Sequence, residues 1–215
     1  MINNFLADYK TLLCLNSDLP QNPDLYLNKI IIATDGAADR LLTIGVTPSV
    51  IIGDLDSLIK ENHLDANIIH LPDQSTSDFQ KAINYIEQNK LEPFILFGVS
   101  GGSIDHILFN INILAKHNCA FYCPPVLSYV LDPGTHEFTV KKDSKISLIA
   151  MPDAVVSSHG LKWELAKTQM NYPGENSCFN RAVDTKIKIT LHQGKSILMI
   201  YLDHIEDMGL SCAIE

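Results

Sequence analysis

Two aspartates placed two residues apart give the clearest chemical signal in the sequence. Asp54 and Asp56 lie in the run Gly53-Asp54-Leu55-Asp56-Ser57, directly after an apolar segment. In an extended chain the side chains at i and i+2 point the same way, so the two carboxylates would repel each other unless a cation lay between them. Carboxylate oxygens suit a hard ion such as Mg²⁺. Together with Asp78 they form the predicted metal site, although capping a helix is the alternative for any one of them.

A glycine-rich turn is the second signal. Gly98, Gly101 and Gly102 lie between a predicted strand and a predicted helix, where backbone N–H groups can approach an anion. Tight packing is an equal alternative for such glycines. Asp105 and His106 follow in the first helical turn. His106 could act as a general base, but a histidine bonded to a backbone group is the commoner case.

A single cation accompanies the third aspartate. Lys81 follows Asp78 by one helical turn and could reach a phosphate group. A solvated helix lysine is the alternative, because that is the usual place of a single lysine.

The elements that must position these residues alternate along the first 130 residues. Short apolar, β-branched runs predict strands, and they are followed by turns that each contain at least one aspartate. The predicted strands are Thr11–Leu15, Lys29–Ala33, Val50–Gly53, Asn67–Leu71, Pro93–Phe97 and Val126–Leu131. Such alternation with helices predicts a mostly parallel, Rossmann-like α/β sheet with helices on both faces. Ligands bind beyond the carboxyl ends of such strands, so the turns should share one edge.

Two helices are predicted from apolar spacing. From about Ser77 to Gln88, the inward positions are Phe79, Ala82, Ile83 and Ile86. The helix after Gly102 should place one apolar face on the sheet. That face consists of Ile104, Ile107, Leu108, Ile111, Leu114 and Ala115.

After Asp132 the pattern changes to short strand-like runs separated by Pro, Gly, Asn and Asp. The runs are Glu137–Val140, Lys145–Ala150, Lys162–Ala166, Lys186–Leu191 and Ser196–Leu202. We therefore predict an α/β domain over residues 1–132 and a smaller all-β, sandwich-like domain over residues 133–215.

Composition excludes several classes of protein. The 215 residues carry a formal charge of −9, and without a run of Lys or Arg no nucleic-acid partner is expected. Apolar runs are far shorter than the roughly 20 residues of a membrane span, so no membrane partner is expected either. The first ten residues lack the basic cluster of a secretory leader, and we expect a cytoplasmic protein. Five cysteines without a CxxC pair argue against zinc.

At these residues the sequence resembles the thiamin pyrophosphokinases (thiamin diphosphokinases). Six segments correspond to that family's motifs, in the same order, across about residues 12 to 200. They are Asp35–Asp39, Gly53–Ser57, Asp73–Lys81, Gly98–His106, Gly160–Trp163 and Ser177–Asn180. Only the Gly53–Ser57 motif is fairly specific alone; the six in register are specific together.

The resemblance implies transfer of the β,γ-diphosphate of ATP to the hydroxyethyl oxygen of thiamin, giving thiamin diphosphate and AMP. It implies Mg²⁺ as cofactor, ATP as co-substrate, and a homodimer whose active sites combine the α/β domain of one subunit with the β-domain of the other. Phosphoryl-type transfer needs mainly positioning and charge neutralisation, which an aspartate cluster beside a glycine turn can supply.

The resemblance also implies roles for individual residues. Asp73 or Asp105 would accept the hydroxyl proton or bind the thiamin amine, in a catalytic set with Asp54, Asp56 and Asp78. Trp163, the only tryptophan, would stack on thiamin, since a cation over an indole face gains ~0.5–2 kcal/mol; a core tryptophan is the alternative. The implied nucleotide-binding residues are Asp35, Gly36, Arg40, Gly53, Lys81, Gly101, Gly102 and Ser103. The implied thiamin-binding residues are Asp105, His106, Trp163, Ser177 and Asn180.

The sequence departs from the family pattern at four positions. Ser103 replaces an arginine and Asp39 an asparagine, which removes one positive charge and adds one negative charge. Ser77 replaces a threonine, and Phe179 a small residue. Two other functions remain open: a diphosphokinase for another small alcohol, such as a pterin, and a non-catalytic thiamin- or nucleotide-binding module.

Overall fold

A computed structural model describes residues 6, 8–59, 65–203 and 212–214. The described residues form two compact units. The first consists of residues from 8–113 together with 121–123, and the second contains residues 114–120 and those from 124 onward. The predicted division after residue 132 stays a prediction, and the second unit includes a strand that precedes this position.

Six strands form the sheet of the first unit, in the order β6-β5-β1-β2-β3-β4. They are β1 (Thr11–Cys14), β2 (Ile30–Thr34), β3 (Val50–Gly53), β4 (Asn67–His70), β5 (Phe94–Phe97) and β6 (Ala120–Cys123). The strands from β5 to β4 are all paired in parallel. The predicted parallel α/β sheet is therefore confirmed. Strands β1, β3 and β5 are buried along their whole length, as their unbroken apolar runs require, whereas the edge strand β4 is mostly exposed.

The described residues of this unit include three α-helices, α1 (Ala37–Thr43), α2 (Asp78–Gln88) and α3 (Ile104–Leu114), and a 3-10 helix at Pro23–Tyr26. Ser77 caps α2, because its side chain accepts a hydrogen bond from the Gln80 N–H at 3.3 Å. The predicted inward face of α2 is confirmed, and this helix packs against β2 and β3. The placement of helices on both faces of the sheet stays a prediction. No helix within the described part of the chain has the length and apolar character to span a bilayer.

The predicted inward face of α3 is wrong for its first turns. Ile104 is 72% exposed and Leu108 is 52% exposed, while Leu114 at the other end is fully buried. Apolar spacing shows that a helix has one apolar side, but it does not show how much of that side another element covers. Only the C-terminal end of α3 is packed.

The second unit is built of antiparallel strands. They are β7 (Val126–Leu131), β8 (Gly134–Thr139), β9 (Lys145–His159), β10 (Thr168–Asn171), β11 (Ser177–Arg181), β12 (Lys186–Tyr201) and β13 (Cys212–Ile214). The order is β10-β9-β12-β7, with β11 also on β9, β8 also on β12, and β13 on β8. The predicted change to β-structure is confirmed, and a sandwich-like arrangement stays a prediction.

Two details of the predicted β-strands are wrong. Lys186–Leu191 and Ser196–Leu202 are not separate strands, because β12 runs through both with irregular pairing between Leu191 and Ser196. Gly194, with φ of +77°, makes this possible: a Cβ there would lie 2.0 Å from the Asp153 carbonyl oxygen. Lys162–Ala166 is irregular and contains no strand.

The two helix faces give a direct test of the packing. Ile83 in α2 is fully buried, so Ile83→Ala should lower the free energy of unfolding by about 2–5 kcal/mol. Ile104→Ala, the same change at an exposed position of α3, should alter it by less than about 0.5 kcal/mol. Urea unfolding followed by circular dichroism measures both. Equal losses would show that the N-terminal half of α3 is packed.

Candidate active site

A cavity of about 350 Å³ opens at the carboxyl ends of the parallel strands. Its walls come from the turns after β1, β2 and β5 and from the first turns of α2 and α3. Polar residues that line it include Asn16, Asp35, Asp78, Gly102 and His106. The structure thus brings the predicted turns together.

Three carboxylates converge beside this cavity. One oxygen each from Asp35, Asp54 and Asp78 lies within 4.8 Å of the others. Asp54 and Asp78 were expected at the metal site, whereas Asp35 was expected to bind nucleotide. Asp56 is exposed and is not one of this group of three, although its side chain contacts that of Asp35. Its pKa is nevertheless raised, chiefly by the negative charge of Asp54 and then by desolvation.

Gly53 at the end of β3 leaves the room for this convergence. A Cβ at this position would lie 3.0 Å from the Asp35 Cβ and 3.2 Å from the Asp78 Cγ. Any side chain would therefore push the two carboxylates apart. Because Gly53 has no side chain, the two aspartates can occupy this space.

Asp35 is 5% exposed and tightly held. Its N–H donates to the Ile52 carbonyl at 3.0 Å. Its Oδ2 accepts hydrogen bonds from the Ser57 N–H, at 3.2 Å, and from the Ser57 hydroxyl. Its Oδ1 is buried and has no hydrogen-bond partner among the described residues. A hard divalent cation fits this set of oxygens, because it would supply the interaction that Oδ1 lacks.

The other two carboxylates have protein partners. Asp54 accepts a hydrogen bond from the Gln74 side chain, which is the main reason that its pKa is lowered. The Asp78 Oδ1 lies 2.9 Å from the Lys81 Nζ. Lys81 is only 7% exposed, so the alternative of a solvated helix lysine is wrong. Its ammonium group offsets part of the charge of the cluster.

The three glycines of the turn have different surroundings. Gly98 (φ +80°) and Gly101 (φ +98°) need the left-handed conformation. A Cβ would also collide with the Leu15 carbonyl oxygen at 2.5 Å in the first case and with the Asp18 carboxyl group at 2.1 Å in the second. Close packing thus explains both. Gly102 has no such neighbour within 3.4 Å, and it lines the cavity.

Asp73 and Asp105 are each held by hydrogen bonds from their own turns. The Ser75 hydroxyl and N–H donate to Asp73 at 2.6 and 2.9 Å. The Ser103 side chain and the His106 N–H do the same for Asp105. These bonds lower the pKa of both carboxyl groups. A carboxylate with a lowered pKa is a weak base but binds a cation well.

Sequence reasoning gave no role to several residues at this edge. Asn16 lines the cavity and accepts a hydrogen bond from the Arg40 Nε at 2.9 Å. Its amide nitrogen would lie 2.7 Å from a Cβ at Gly36, so Gly36 accommodates it. Ser57 and Gln74 hold the carboxylates. The rule that polar residues follow the strands would have found Asn16, since it comes directly after predicted strand Thr11–Leu15.

Asp39, one of the departures, holds a loop. Its Oδ2 accepts a hydrogen bond at 3.1 Å from the N–H of Ile59, in the segment that follows Asp54 and Asp56. The extra negative charge is thus engaged with the backbone.

In the second unit, the Trp163 ring is 56% exposed, so the alternative of a core tryptophan is wrong. The buried Asn180 side chain holds its backbone: Oδ1 accepts from the Trp163 N–H at 3.1 Å, and Nδ2 donates to the Trp163 carbonyl at 2.7 Å. Nδ2 also lies 3.4 Å from the Ser177 hydroxyl. The Lys162 ammonium lies 4.8 Å from the indole centroid, which shows that the ring face accepts a cation.

Known proteins show a consistent similarity. Residues 25–123 match the family described as thiamin pyrophosphokinase, catalytic domain, and residues 135–195 match the thiamin pyrophosphokinase vitamin B1 binding domain. Thiamine pyrophosphokinase 1 of Oryza sativa subsp. japonica is 29% identical over 214 residues, covering 82% of this chain and 81% of the relative. Thiamin pyrophosphokinase 1 of Caenorhabditis elegans is 27% identical, over 77% of this chain and 73% of the relative.

Solved structures share the fold. The thiamine pyrophosphokinase of Bacillus subtilis superposes with a TM-score of 0.79 at 19% identity, covering 91% of this chain and all (100%) of the other. The yeast thiamin pyrophosphokinase gives a TM-score of 0.75 at 20% identity, with 93% and 88% covered.

The raised pKa of Asp56 predicts a pH-dependent effect on stability. Because folding disfavours the charged form, ionised Asp56 destabilises the fold above its raised pKa, and this effect disappears as the pH falls towards the unfolded value. Asp56→Asn should therefore raise the free energy of unfolding at pH 7 and have little effect at pH 3.5. Urea titrations at the two pH values measure the difference. Asp65→Asn, an exposed aspartate outside the cluster, is the control; an equal gain from it would contradict the prediction.

Proposed function

Because the chain belongs to the thiamin pyrophosphokinase family, we infer that it transfers the diphosphate of ATP to thiamin, giving thiamin diphosphate and AMP. The observation that carries this conclusion is the match to both family domains, catalytic and vitamin B1 binding, in their order along the chain. The protein is accordingly an enzyme, a transferase of the kinase type.

The chemistry requires one bond to form and one to break. The thiamin hydroxyl oxygen attacks the β-phosphorus of ATP, the bond from the β-phosphorus to the bridging oxygen of AMP breaks, and the hydroxyl proton is lost. Bound Mg²⁺ would neutralise charge on the polyphosphate. Asp54 and Asp78 would hold the ion with a third carboxylate; on the sequence pattern this is Asp56. The convergence of Asp54 and Asp78 with Asp35 beside the cavity supports a metal site there.

Cations and backbone groups would bind the rest of the polyphosphate. Arg40 is held at the cavity edge by Asn16, which suits it to supply charge that Ser103 lacks. Lys81 is engaged with Asp78, so it positions that carboxylate, and it remains a proposed nucleotide contact. Gly102 offers an open backbone approach. The remaining proposed nucleotide contacts are Asp35, Gly36, Gly53, Gly101 and Ser103.

On the acceptor side, we assign stacking to the exposed ring of Trp163. Asn180 is a positioning residue, since its buried amide is already bonded to the Trp163 backbone. Asp73 and Asp105, with lowered pKa values, suit binding of the cationic acceptor better than proton removal. His106, which lines the cavity, is with Asp105 a proposed thiamin contact of the first unit. Ser177, beside Asn180, is a proposed thiamin contact of the second unit.

The proposal includes a homodimer in which each active site combines the catalytic unit of one subunit with the β-unit of the other. An isologous dimer of this kind would contain two composite sites. It also includes a cytoplasmic location and no nucleic-acid partner, in keeping with the charge of −9.

The decisive assay incubates the purified protein with ATP, Mg²⁺ and thiamin and measures both products. Equal amounts of AMP and thiamin diphosphate are expected. ADP in place of AMP would exclude diphosphate transfer. Turnover with a pterin alcohol but not with thiamin would indicate the other diphosphokinase, and thiamin binding in equilibrium dialysis without turnover would indicate a binding module.

Trp163→Ala should weaken binding of the acceptor alone. Loss of a cation–π contact worth ~0.5–2 kcal/mol raises the KM for thiamin about 2- to 30-fold and leaves the KM for ATP within about twofold. Steady-state kinetics measure both constants. Tyr172→Ala is the matched control, because Tyr172 is an aromatic residue of the same unit with a similar exposure of 53%. Equal effects on the two substrates would remove Trp163 from the thiamin site.

Sharing of the site between subunits can be tested with the inactive Asp54→Asn chain and the Trp163→Ala chain, which should turn over slowly at thiamin concentrations far below its raised KM. Under those conditions the mixed chains should regain up to about a quarter of wild-type sites, since half the dimers are mixed and each mixed dimer has one intact site. No recovery after demonstrated chain exchange would place the site within one chain.

A further inference from the structure

We propose that Asn16 is a polyphosphate-binding residue: its Nδ2 donates a hydrogen bond to a phosphate oxygen, while its Oδ1 holds the Arg40 guanidinium beside the same anion. The inference deepens the proposed function and rests on it for the identity of the anion as the polyphosphate of ATP. Asn16 lies outside all six segments that resemble the family's motifs.

The walls of the cavity do not themselves supply a cation. In the part of the chain that the structure describes, no lysine or arginine lines the cavity, whereas Asp35 and Asp78 do. Lys81 is already paired with Asp78 at 2.9 Å, and Ser103 stands where the family pattern has an arginine. Positive charge for a polyphosphate, beyond that of a bound metal ion, must therefore come from the edge of the cavity.

A hydrogen bond determines which end of the Asn16 amide can meet an anion. The Arg40 Nε–H donates to the Asn16 Oδ1, with 2.9 Å between nitrogen and oxygen. An arginine nitrogen can only donate, so the amide oxygen must face it. The Nδ2 group lies over Gly36 instead, 2.7 Å from the position that a Cβ would take there. Since Asn16 lines the cavity, Nδ2 is the group that it can offer to a phosphate.

The same hydrogen bond leaves most of the Arg40 guanidinium available. Its Nε is engaged with Asn16, while Nη1 and Nη2 have no hydrogen-bond or ion-pair partner within the described ranges. A guanidinium carries its N–H donors in one rigid plane, so holding one edge orients the others. Asn16 and Arg40 together thus present several donors and one positive charge to an anion at the cavity edge.

The loop that carries Asn16 is bound to the glycine turn after β5. The Asp18 N–H donates to the Ser100 carbonyl at 3.2 Å, and the Ser17 hydroxyl donates to the same carbonyl. The Asp18 carboxyl group also fills the space over Gly101, 2.1 Å from where a Cβ would lie. A side chain on a fixed loop loses less conformational freedom when it binds a ligand, so more of its interaction contributes to affinity.

The experiment measures binding to the full-length protein with Mg²⁺ and without thiamin, by isothermal titration calorimetry. The probes are inorganic tripolyphosphate and α,β-methylene ATP, which cannot be cleaved at the relevant bond. Asn16→Ala should weaken binding of both by at least about tenfold and by similar factors, because it removes a hydrogen bond to a charged group and releases Arg40. Asn84→Ala, at an exposed asparagine of α2, is the matched control and should change neither.

Two results of this titration would overturn the proposal. One is wild-type affinity in Asn16→Ala. The other is a loss of affinity for the nucleotide without a loss for tripolyphosphate, which would place Asn16 against the base or the ribose.

A double-mutant cycle tests whether Asn16 acts partly through Arg40. Arg40→Lys keeps the charge but loses the rigid set of donors, so a lysine cannot bond Asn16 and a phosphate as the arginine does. The factor by which Arg40→Lys weakens tripolyphosphate binding should be at least about threefold larger in the wild type than in Asn16→Ala, where the guanidinium is no longer held. Equal factors in the two backgrounds would overturn the proposal.

A merely structural role for Asn16 would change stability instead. Asn16 is exposed, so Asn16→Ala should unfold at the same urea concentration as the wild type. A lower midpoint would place Asn16 in the support of its loop and would also overturn the proposal. Asn16→Asp keeps an oxygen for Arg40 but replaces the donor with a charged oxygen, so it should bind tripolyphosphate more weakly than Asn16→Ala; tighter binding would contradict the role of Nδ2.

These measurements are separate from the assay of thiamin diphosphate formation, because they use no thiamin and no turnover. A wild-type chain that binds the nucleotide but forms no thiamin diphosphate would overturn the proposed function and leave the role of Asn16 standing. A chain that forms thiamin diphosphate while Asn16→Ala binds both probes normally would do the reverse.

Discussion

Repulsion between carboxylates is the constraint on which the candidate site depends. Asp35, Asp54 and Asp78 converge, with Asp56 close enough to respond to their charge. Each is countered locally: Ser57 bonds Asp35, Gln74 bonds Asp54, and the buried Lys81 pairs with Asp78. These contacts make the cluster tolerable without removing its net charge. A polyphosphate is itself an anion, so a cluster of carboxylates could bind one only through a metal ion.

The parallel sheet determines which carboxylates meet. Strands β2 and β3 are neighbours, with Thr34 paired to Ile52, so the residues just beyond the two strand ends lie side by side. The Asp35 N–H continues this ladder by donating to the Ile52 carbonyl. Gly53 then leaves space for Asp78, which the start of α2 brings from further along the chain. Site geometry thus follows from strand register and from one missing side chain.

Much of the fold of the first unit could be predicted from the sequence, because it depends on local patterns. The α2 face and the buried strands follow from apolar spacing, and the shared edge follows from parallel topology. The membership of Asp35 in the carboxylate group could not be predicted, because it depends on the positive φ of Asp35, +35°, and on the pairing of β2 with β3. The predictions for the start of α3 and for Lys162–Ala166 were wrong for a related reason. Both segments depend on partners that are distant in sequence or on side chains that bond the backbone. In the second segment the Glu164 carboxylate accepts hydrogen bonds from the Gly160 and Leu161 N–H groups.

The β-unit positions its aromatic ring by a different physical means. The Asn180 amide is buried and bonded to both backbone groups of Trp163, so the peptide is fixed while the indole stays in solvent. Binding of a cationic acceptor at this ring, as we propose it, would depend on dispersion and on the attraction between a ring face and a cation. The Lys162 ammonium lies 4.8 Å from the indole centroid. The aspartate cluster depends instead on compensated charge. The cluster should therefore be far more sensitive than the Trp163 ring to the loss of a single charged group, because removing one partner there leaves another charge without compensation.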